Sequence, residues 1–463
     1  MSRALLVDFG STYTKVLAVD LDKSRIAGRA YALTTAATDI TEGLRRALAV
    51  LASECNLSLA DFDYRLAASS AAGGLRMIAV GLVPELTAEA ARQASLGAGA
   101  RVIKVYSYEL SDADIKEIGT LPRDLILLAG GTDGGDRNTI LQNAKMLAKA
   151  PPDAPVIVAG NRTAAKEAAE LLRAGGVEVL VTENVLPALR RLNIEPARET
   201  IRRVFMERIV AGKGFGRAED YLGSILMPTP AAVLAAAQLL AEGTGSRSGL
   251  GELLIVDVGG ATTDVHSVAG GEPAQPGTVV RGLPEPYTKR TVEGDLGLRV
   301  SALSLLETVG RRRLVGALRD ENIDLEAAVA GLARDVGAVP RSTAAADLDR
   351  AMARLAVEIA VERHVGVLEK IAAPNGVFYV QTGKDLSGVR QVIGTGGIFA
   401  HDQDKAYILG GAVSDGTDPF RLKPREPDLL FDNDYLLWAM GLLRTVAPEP
   451  ALAIMLRHLT TVQ

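Results

Sequence analysis

The run Asp8-Phe9-Gly10-Ser11-Thr12-Tyr13-Thr14-Lys15 brings an acid, a glycine, small hydroxylated residues and a lysine close together. The apolar residues before Asp8 make it the end of a strand. Gly10 allows the backbone to turn tightly. The N–H and O–H groups that follow can then face phosphate oxygens, with Lys15 as a point charge. Asp8 can hold Mg2+ through water. A second run, Asp257-Val258-Gly259-Gly260-Ala261-Thr262-Thr263-Asp264, repeats the design. Either loop alone could be a plain hairpin turn. Two of them facing each other can clamp a triphosphate, with Asp8 and Asp257 placing Mg2+ or the attacking water, because phosphoryl transfer is mostly positioning and charge compensation. In Val392-Ile393-Gly394-Thr395-Gly396-Gly397 a strand runs into bare backbone that a flat ring or a ribose can approach.

Positioning such loops calls for an α/β fold. Strands are predicted at Ala4–Asp8, Lys15–Asp20, Ile26–Thr34 and Arg65–Ser69, with a helix over Thr41–Cys55 that puts Leu44, Leu48 and Leu51 on one face. A similar unit starts again with strands Leu253–Val258 and Asp264–Val268 and a helix opening near Asp295, which reads as an internal duplication. Between the two, strands Asp124–Ala129, Pro155–Ala159 and Val177–Val181 alternate with helices Thr139–Lys149 and Thr163–Ala174, the pattern of a parallel sheet. The expected organisation is a first domain over 1–245 with an inserted α/β subdomain at about 100–210, and a second domain over 250–463. The boundary falls in the glycine- and serine-rich run 242–252. A long helix is predicted over Leu348–Ile371. The uncharged stretch Ile225–Ala241 reads as a buried helix, not a membrane span, because Pro228 and Pro230 interrupt it.

Length and composition narrow the classes. At 463 residues, with 48% hydrophobic and 23% charged, two or more globular domains are expected. Charges of 51 basic and 56 acidic residues leave no basic field for nucleic acid. The single cysteine, Cys55, rules out intrachain disulfides and cysteine-based metal sites, and fits a reducing cytoplasm. The opening MSRALLVDFG enters a strand without the features of a signal peptide. His266, His364, His401 and His458 lack metal-ligand spacing, and Arg311-Arg312-Arg313 reads as a solvated helix face. The loop Gly130-Gly131-Thr132-Asp133-Gly134-Gly135 has two readings: a tight strand–helix turn, or a surface for a ligand or partner. Its N–H groups could hold an anion, against which Asp133 and Asp136 argue.

The loops together resemble the motifs of the actin-like ATPase superfamily, which includes sugar kinases, actin and heat-shock chaperone ATPases. DFGSTYTK is similar to its first phosphate motif, IVDVGGATTD to its second and VIGTGG to its adenosine motif. Met227–Leu240 is similar to its first connecting helix. The match narrows with LLAGGTDGG, VIVAGN, LIVDVGGATTDVHSV and TVEGDLGLR, which resemble the MutL/GlmL family. That family reactivates adenosylcobalamin-dependent glutamate mutase and related aminomutases and is distinct from the mismatch-repair protein of the same name. The resemblance implies two duplicated ribonuclease-H-like domains with ATP bound between the two halves. Gly10, Ser11, Thr12, Tyr13 and Lys15 would meet the β- and γ-phosphates, and Gly259, Gly260, Ala261 and Thr262 would do so from the other side. Asp8 and Asp257 would be catalytic, positioning Mg2+ and water. Gly394, Thr395, Gly396 and Gly397 would hold adenosine. Glu293 and Asp295 would line the nucleotide side or cap the following helix. The implied partners are ATP, ADP and the subunits of a B12-dependent mutase, with no nucleic acid and no membrane, in the cytoplasm. The assembly state is open, with a homo-oligomer among the options. Chaperone ATPases carry a glutamate where this chain has Met227, which implies slow, partner-stimulated hydrolysis. A small-molecule kinase or hydantoinase-like enzyme, and an actin-like scaffold, are the alternatives on the same fold.

Overall fold

The computed structural model describes residues 2–10, 13–35, 39–70, 75–212, 221–222, 224–319, 323–374 and 376–461. Its first strand, Arg3–Phe9, pairs antiparallel with Tyr13–Asp20 and parallel with Tyr64–Ser69. Arg25–Leu33 and Ser224–Pro228 complete a sheet of order Ser224–Pro228, Tyr64–Ser69, Arg3–Phe9, Tyr13–Asp20, Arg25–Leu33. Alternation puts Leu5, Val7 and Phe9 into one core with Leu44, Ala47 and Leu51 of helix Ile40–Cys55. Asp39 caps that helix by accepting from Thr41 N, and left-handed Asn56 ends it.

A second sheet in the same half is parallel throughout, in the order Arg101–Ser107, Arg76–Gly81, Leu125–Leu128, Val156–Val158, Val179–Val181. Its central strands are continuous apolar runs, as burial on both faces requires. Helices Asn138–Lys149 and Arg162–Ala174 bury Ile140, Ala144, Ala164, Ala168 and Leu172 against it. Strands Arg76–Gly81 and Arg101–Ser107 lie outside the sequence expectations. The second carries Arg101 and Lys104 among its apolar residues, which blurs the signal.

The later half holds a six-stranded sheet of order Thr288–Glu293, Thr263–Val268, Leu253–Val258, Gln391–Thr395, Asp428–Asp432, Leu459–Thr461. Leu253–Val258 runs antiparallel to Thr263–Val268 and parallel to Gln391–Thr395, which is parallel to Asp428–Asp432. The first sheet has the same order and the same directions around Arg3–Phe9. The duplication read from two loops therefore extends to whole sheets. Helix Thr343–His364 covers one face, packing Met352, Leu355 and Ala356 with Leu254, Val256 and Val265.

Some boundaries differ from expectation. The long helix ends at His364, and Val367–Ala373 is instead a strand in a small sheet with Gly376–Thr382 and Val279–Arg281. Gly366 follows the last turn, and Lys289 Nζ takes the His364 carbonyl at 3.0 Å. The helix expected near Asp295 opens at Ala302. The run from Ile225 is a strand as far as Pro228 and a helix only from Thr229 to Glu242. The chain divides into two compact units, Met1–Asp20, Ile26–Ala231 and Gly282–Pro286 in one, Leu21–Arg25, Ala232–Arg281 and Tyr287–Gln463 in the other. The division thus falls inside helix Thr229–Glu242. Among the described residues no helix is long and apolar enough to cross a membrane.

Candidate functional site

Each phosphate-type loop closes on the same bond. Gly10 N donates to Tyr13 O at 3.1 Å, and Gly259 N to Thr262 O at 2.9 Å. In each, a Cβ on the glycine would press on that same carbonyl, at 2.7 Å for Gly10 and 3.0 Å for Gly259. Asp8 stands opposite Lys15 in its hairpin, and Asp257 opposite Asp264 in the other. Ser11 and Thr12 lie outside the described residues.

The second loop is held from behind. Leu298 N donates to Gly259 O at 3.1 Å, Arg299 N to Gly260 O at 2.8 Å and Ser301 Oγ to Ala261 O at 2.7 Å. A trans peptide points its C=O and the following N–H in opposite directions. The N–H groups of Gly260, Ala261 and Thr262 are therefore turned away from this backing, as an anion site needs. Arg299 itself is anchored by a bidentate, largely buried ion pair to the buried Asp349 at 2.7 and 2.9 Å. Thr262 Oγ1 donates to Asp264 at 2.9 Å, and Arg290 pairs with the other oxygen of Asp264. Two carboxylates opposite each other in a hairpin repel, and Arg290 offsets that for Asp264.

In the first loop Asp8 is buried. Lys15 Nζ donates to its Oδ2 at 3.2 Å and Thr229 Oγ1 to its Oδ1 at 2.7 Å. Tyr13 is exposed, its ring edge-on to Tyr31. In the third loop Gly394 abuts the Phe399 ring, and Gly396, at φ +106°, lies against Val258 O and the Asp257 carboxylate. Thr395 is buried, with its hydroxyl given to Asp432. Asp432 also accepts from Leu436 N and Leu437 N, and burial raises its pKa above the usual carboxylate range. Gly397 faces open space.

Glu293 and Asp295 share Arg363, at 2.7 and 2.9 Å. Burial raises the Asp295 pKa, but bonds from Arg363 and Thr308 outweigh it and hold the carboxyl low. Asp295 does not cap the next helix, where Ser301 stands. The loop Gly130–Gly135 is pinned by two buried asparagines. Asn161 bonds Gly134 N, Gly135 O and Asp136 O, and Asn184 bonds Gly131 O and the Asp133 carboxylate. Asp136 accepts from Thr139 N at the helix start. Thr229, Arg299 and Asp432 were not singled out in the sequence. A threonine after a proline, an arginine in a turn and an aspartate ending a strand carry no local mark of a partner far along the chain.

Residues 4–459 match the MutL protein family. Protein MutL of Clostridium tetanomorphum is 50% identical over 462 residues, covering 100% of both chains. This chain belongs to the MutL family. The family is the glutamate mutase-related one and not that of DNA mismatch repair. Solved structures that match this MutL-family chain include two with low scores. One is the activator of the 2-hydroxyisocaproyl-CoA dehydratase from Clostridium difficile with bound ADPNP (TM-score 0.31, 9% identity, 100% of this chain and 99% of that one). The other is a diol dehydratase-reactivating factor in nucleotide-free form (TM-score 0.32, 11% identity, 96% and 99%). The MutL-family chain has a mixed α/β fold with a repeated strand order.

Proposed function

We propose that this MutL-family protein is an ATP-dependent reactivating chaperone of an adenosylcobalamin-dependent mutase of the glutamate mutase or aminomutase type, working in the cytoplasm on the mutase subunits. The observation that carries the nucleotide part is the second loop: its carbonyls are bonded from behind, so Gly260, Ala261 and Thr262 present N–H groups outward. Family membership supports the mutase part.

The residues suit MgATP. Among the described residues no cluster of three or more acids, histidines or cysteines could hold a metal by itself. Separate carboxylates at Asp8 and Asp257 suit Mg2+, which keeps several waters and is usually bound through one or two carboxylates and substrate phosphates. Both Asp8 oxygens already accept hydrogen bonds, so its role would run through water. In this reading Gly10, Ser11, Thr12, Tyr13 and Lys15 bind the phosphates together with Gly259, Gly260, Ala261 and Thr262. Asp257 orients water. Gly394, Thr395, Gly396 and Gly397 approach the adenosine, Thr395 by its backbone because Asp432 takes its hydroxyl. ATP supplies the free energy of a transferable phosphoryl group.

Met227 lies on strand Ser224–Pro228 and Thr229 opens the helix, so neither supplies a carboxylate there. Slow turnover is proposed, with ATP and ADP biasing a two-state protein that opens the mutase for release of damaged cobalamin. The test mixes the purified protein and MgATP with a cyanocobalamin-inhibited glutamate mutase. Restored mutase activity on adding adenosylcobalamin is expected, and no restoration would remove the chaperone reading.

A further inference from the structure

Thr229 lies 221 positions beyond Asp8, is itself buried and is the first residue of helix Thr229–Glu242. A hydroxyl has one proton to donate, and Thr229 gives it to the Asp8 carboxylate at 2.7 Å. The other Asp8 oxygen accepts from Lys15 at 3.2 Å. Asp8 is only 1% exposed, and a buried carboxylate that loses a donor is strongly destabilised.

We propose that Thr229 is a positioning residue for Asp8, and that through it the start of this helix reads what sits at Lys15. The inference rests on the nucleotide reading of the first loop. A phosphate carries more negative charge than a carboxylate and competes for the Lys15 ammonium. When Lys15 turns to a phosphate, Asp8 keeps Thr229 as its donor, and the carboxylate and the helix start adjust together.

The same helix is gripped further along. Gly441 sits on the Ala232 carbonyl so closely that a Cβ there would come within 1.8 Å. Arg444 Nη1 donates to Ala235 O at 3.2 Å and to Gln238 Oε1 at 2.9 Å. Gly441 lies within helix Leu437–Leu443 and Arg444 caps its end, and that helix carries buried Trp438, the single tryptophan of the chain. A change at Thr229 therefore has an optical reporter on the helix's neighbour.

The experiment uses the full chain as wild type, Thr229→Val and Thr229→Ser. It measures binding of a fluorescent N-methylanthraniloyl ATP against MgCl2 concentration and, separately, Trp438 emission with and without MgATP. Thr229→Val is expected to raise the MgCl2 needed for half-maximal binding about tenfold, the loss of one hydrogen bond to a charged group, and to abolish the emission change. Thr229→Ser, which keeps the hydroxyl, is expected to behave as wild type. A Thr229→Val protein with wild-type Mg2+ dependence and emission response would overturn the inference and leave nucleotide binding standing. A wild type that binds the nucleotide without any emission change would also overturn it. A wild type that binds no nucleotide would remove the nucleotide reading, and this inference with it. Should Thr229→Val fail to fold, Lys15→Gln carries the test. Without nucleotide it is expected to show the emission of wild type in MgATP, and emission identical to nucleotide-free wild type would sink the coupling.

Discussion

His266 takes two ring nitrogens into the interior, where neither finds a hydrogen-bond partner among the described residues. Burial is the main cause that pushes its pKa from the usual 6.5 down to about 3, with Asp264 opposing and Arg290 adding to it. The unfolded chain therefore binds a proton below about pH 6.5 that the folded chain refuses until about pH 3. Stability from this group is present above pH 6.5 and is lost as pH falls through that window, at up to about 1.4 kcal/mol per pH unit. His266→Phe is expected to flatten this acid limb, with little loss at pH 7, because it removes unsatisfied polar atoms. Urea melts of both proteins between pH 4 and 7 decide it, and parallel curves would refute it. Glycines of the third loop separate in the same way. Gly396 has φ +106° and no room beside Val258 O, so Gly396→Ala is expected to lose about 2 kcal/mol or more in urea melts. Gly397 has nothing within 4 Å. Gly397→Ala is expected to stay within about 0.5 kcal/mol in stability while weakening nucleotide binding. Unchanged affinity would take Gly397 out of the site.

At the scale of elements, the second loop depends on a segment that bonds its carbonyls from behind. Residues Leu298–Ser301 donate to its carbonyls, and Arg299 is tied to helix Thr343–His364 through Asp349. Breaking a buried pair from one side leaves a charge without compensation. Arg299→Met is expected to destabilise by about 3–5 kcal/mol, and the double change Arg299→Met with Asp349→Leu to recover part of it. Equal losses in single and double variants, measured by chemical denaturation, would show that the ion pair is not the cause. The loops themselves were legible, because acid, glycine and hydroxyl residues follow a strand in a pattern that recurs. So were the strands of alternating or unbroken apolar residues such as Leu253–Val258. The backing was not. Arg299 and Asp349 are 50 positions apart, and only the folded chain brings them together. Val367–Ala373 misled for a related reason. Its apolar residues continue the pattern of the preceding helix, while pairing with Gly376–Thr382 makes it a strand.

At the scale of the molecule, the repeated strand order means that each unit carries its own version of one hairpin loop, closed by the same bond. If one ATP serves both loops, as proposed, then a change in one unit must alter protection in the other. Lys15→Met alters only the first loop, within Met1–Asp20 of the first unit. Hydrogen exchange can read the Gly259–Thr262 amides of the second unit directly. In wild type, saturating MgATP is expected to slow exchange there. At a concentration of about 100 Kd the ligand adds about 2.7 kcal/mol to any opening that releases it. In Lys15→Met, at the same MgATP concentration, most of that added protection is expected to vanish, although the second loop and its backing are untouched. Retained protection at Gly259–Thr262 would mean that the second loop binds nucleotide without the first. The duplicated sheets would then be two separate sites, and a single nucleotide could not bias both units at once. The expected result is asymmetric: losing Lys15 changes the first unit, and the readout is in the second. Thr229→Val, read at MgATP and MgCl2 concentrations that saturate it, adds a second test, since it leaves Lys15 in place and removes the bond from the helix start to Asp8.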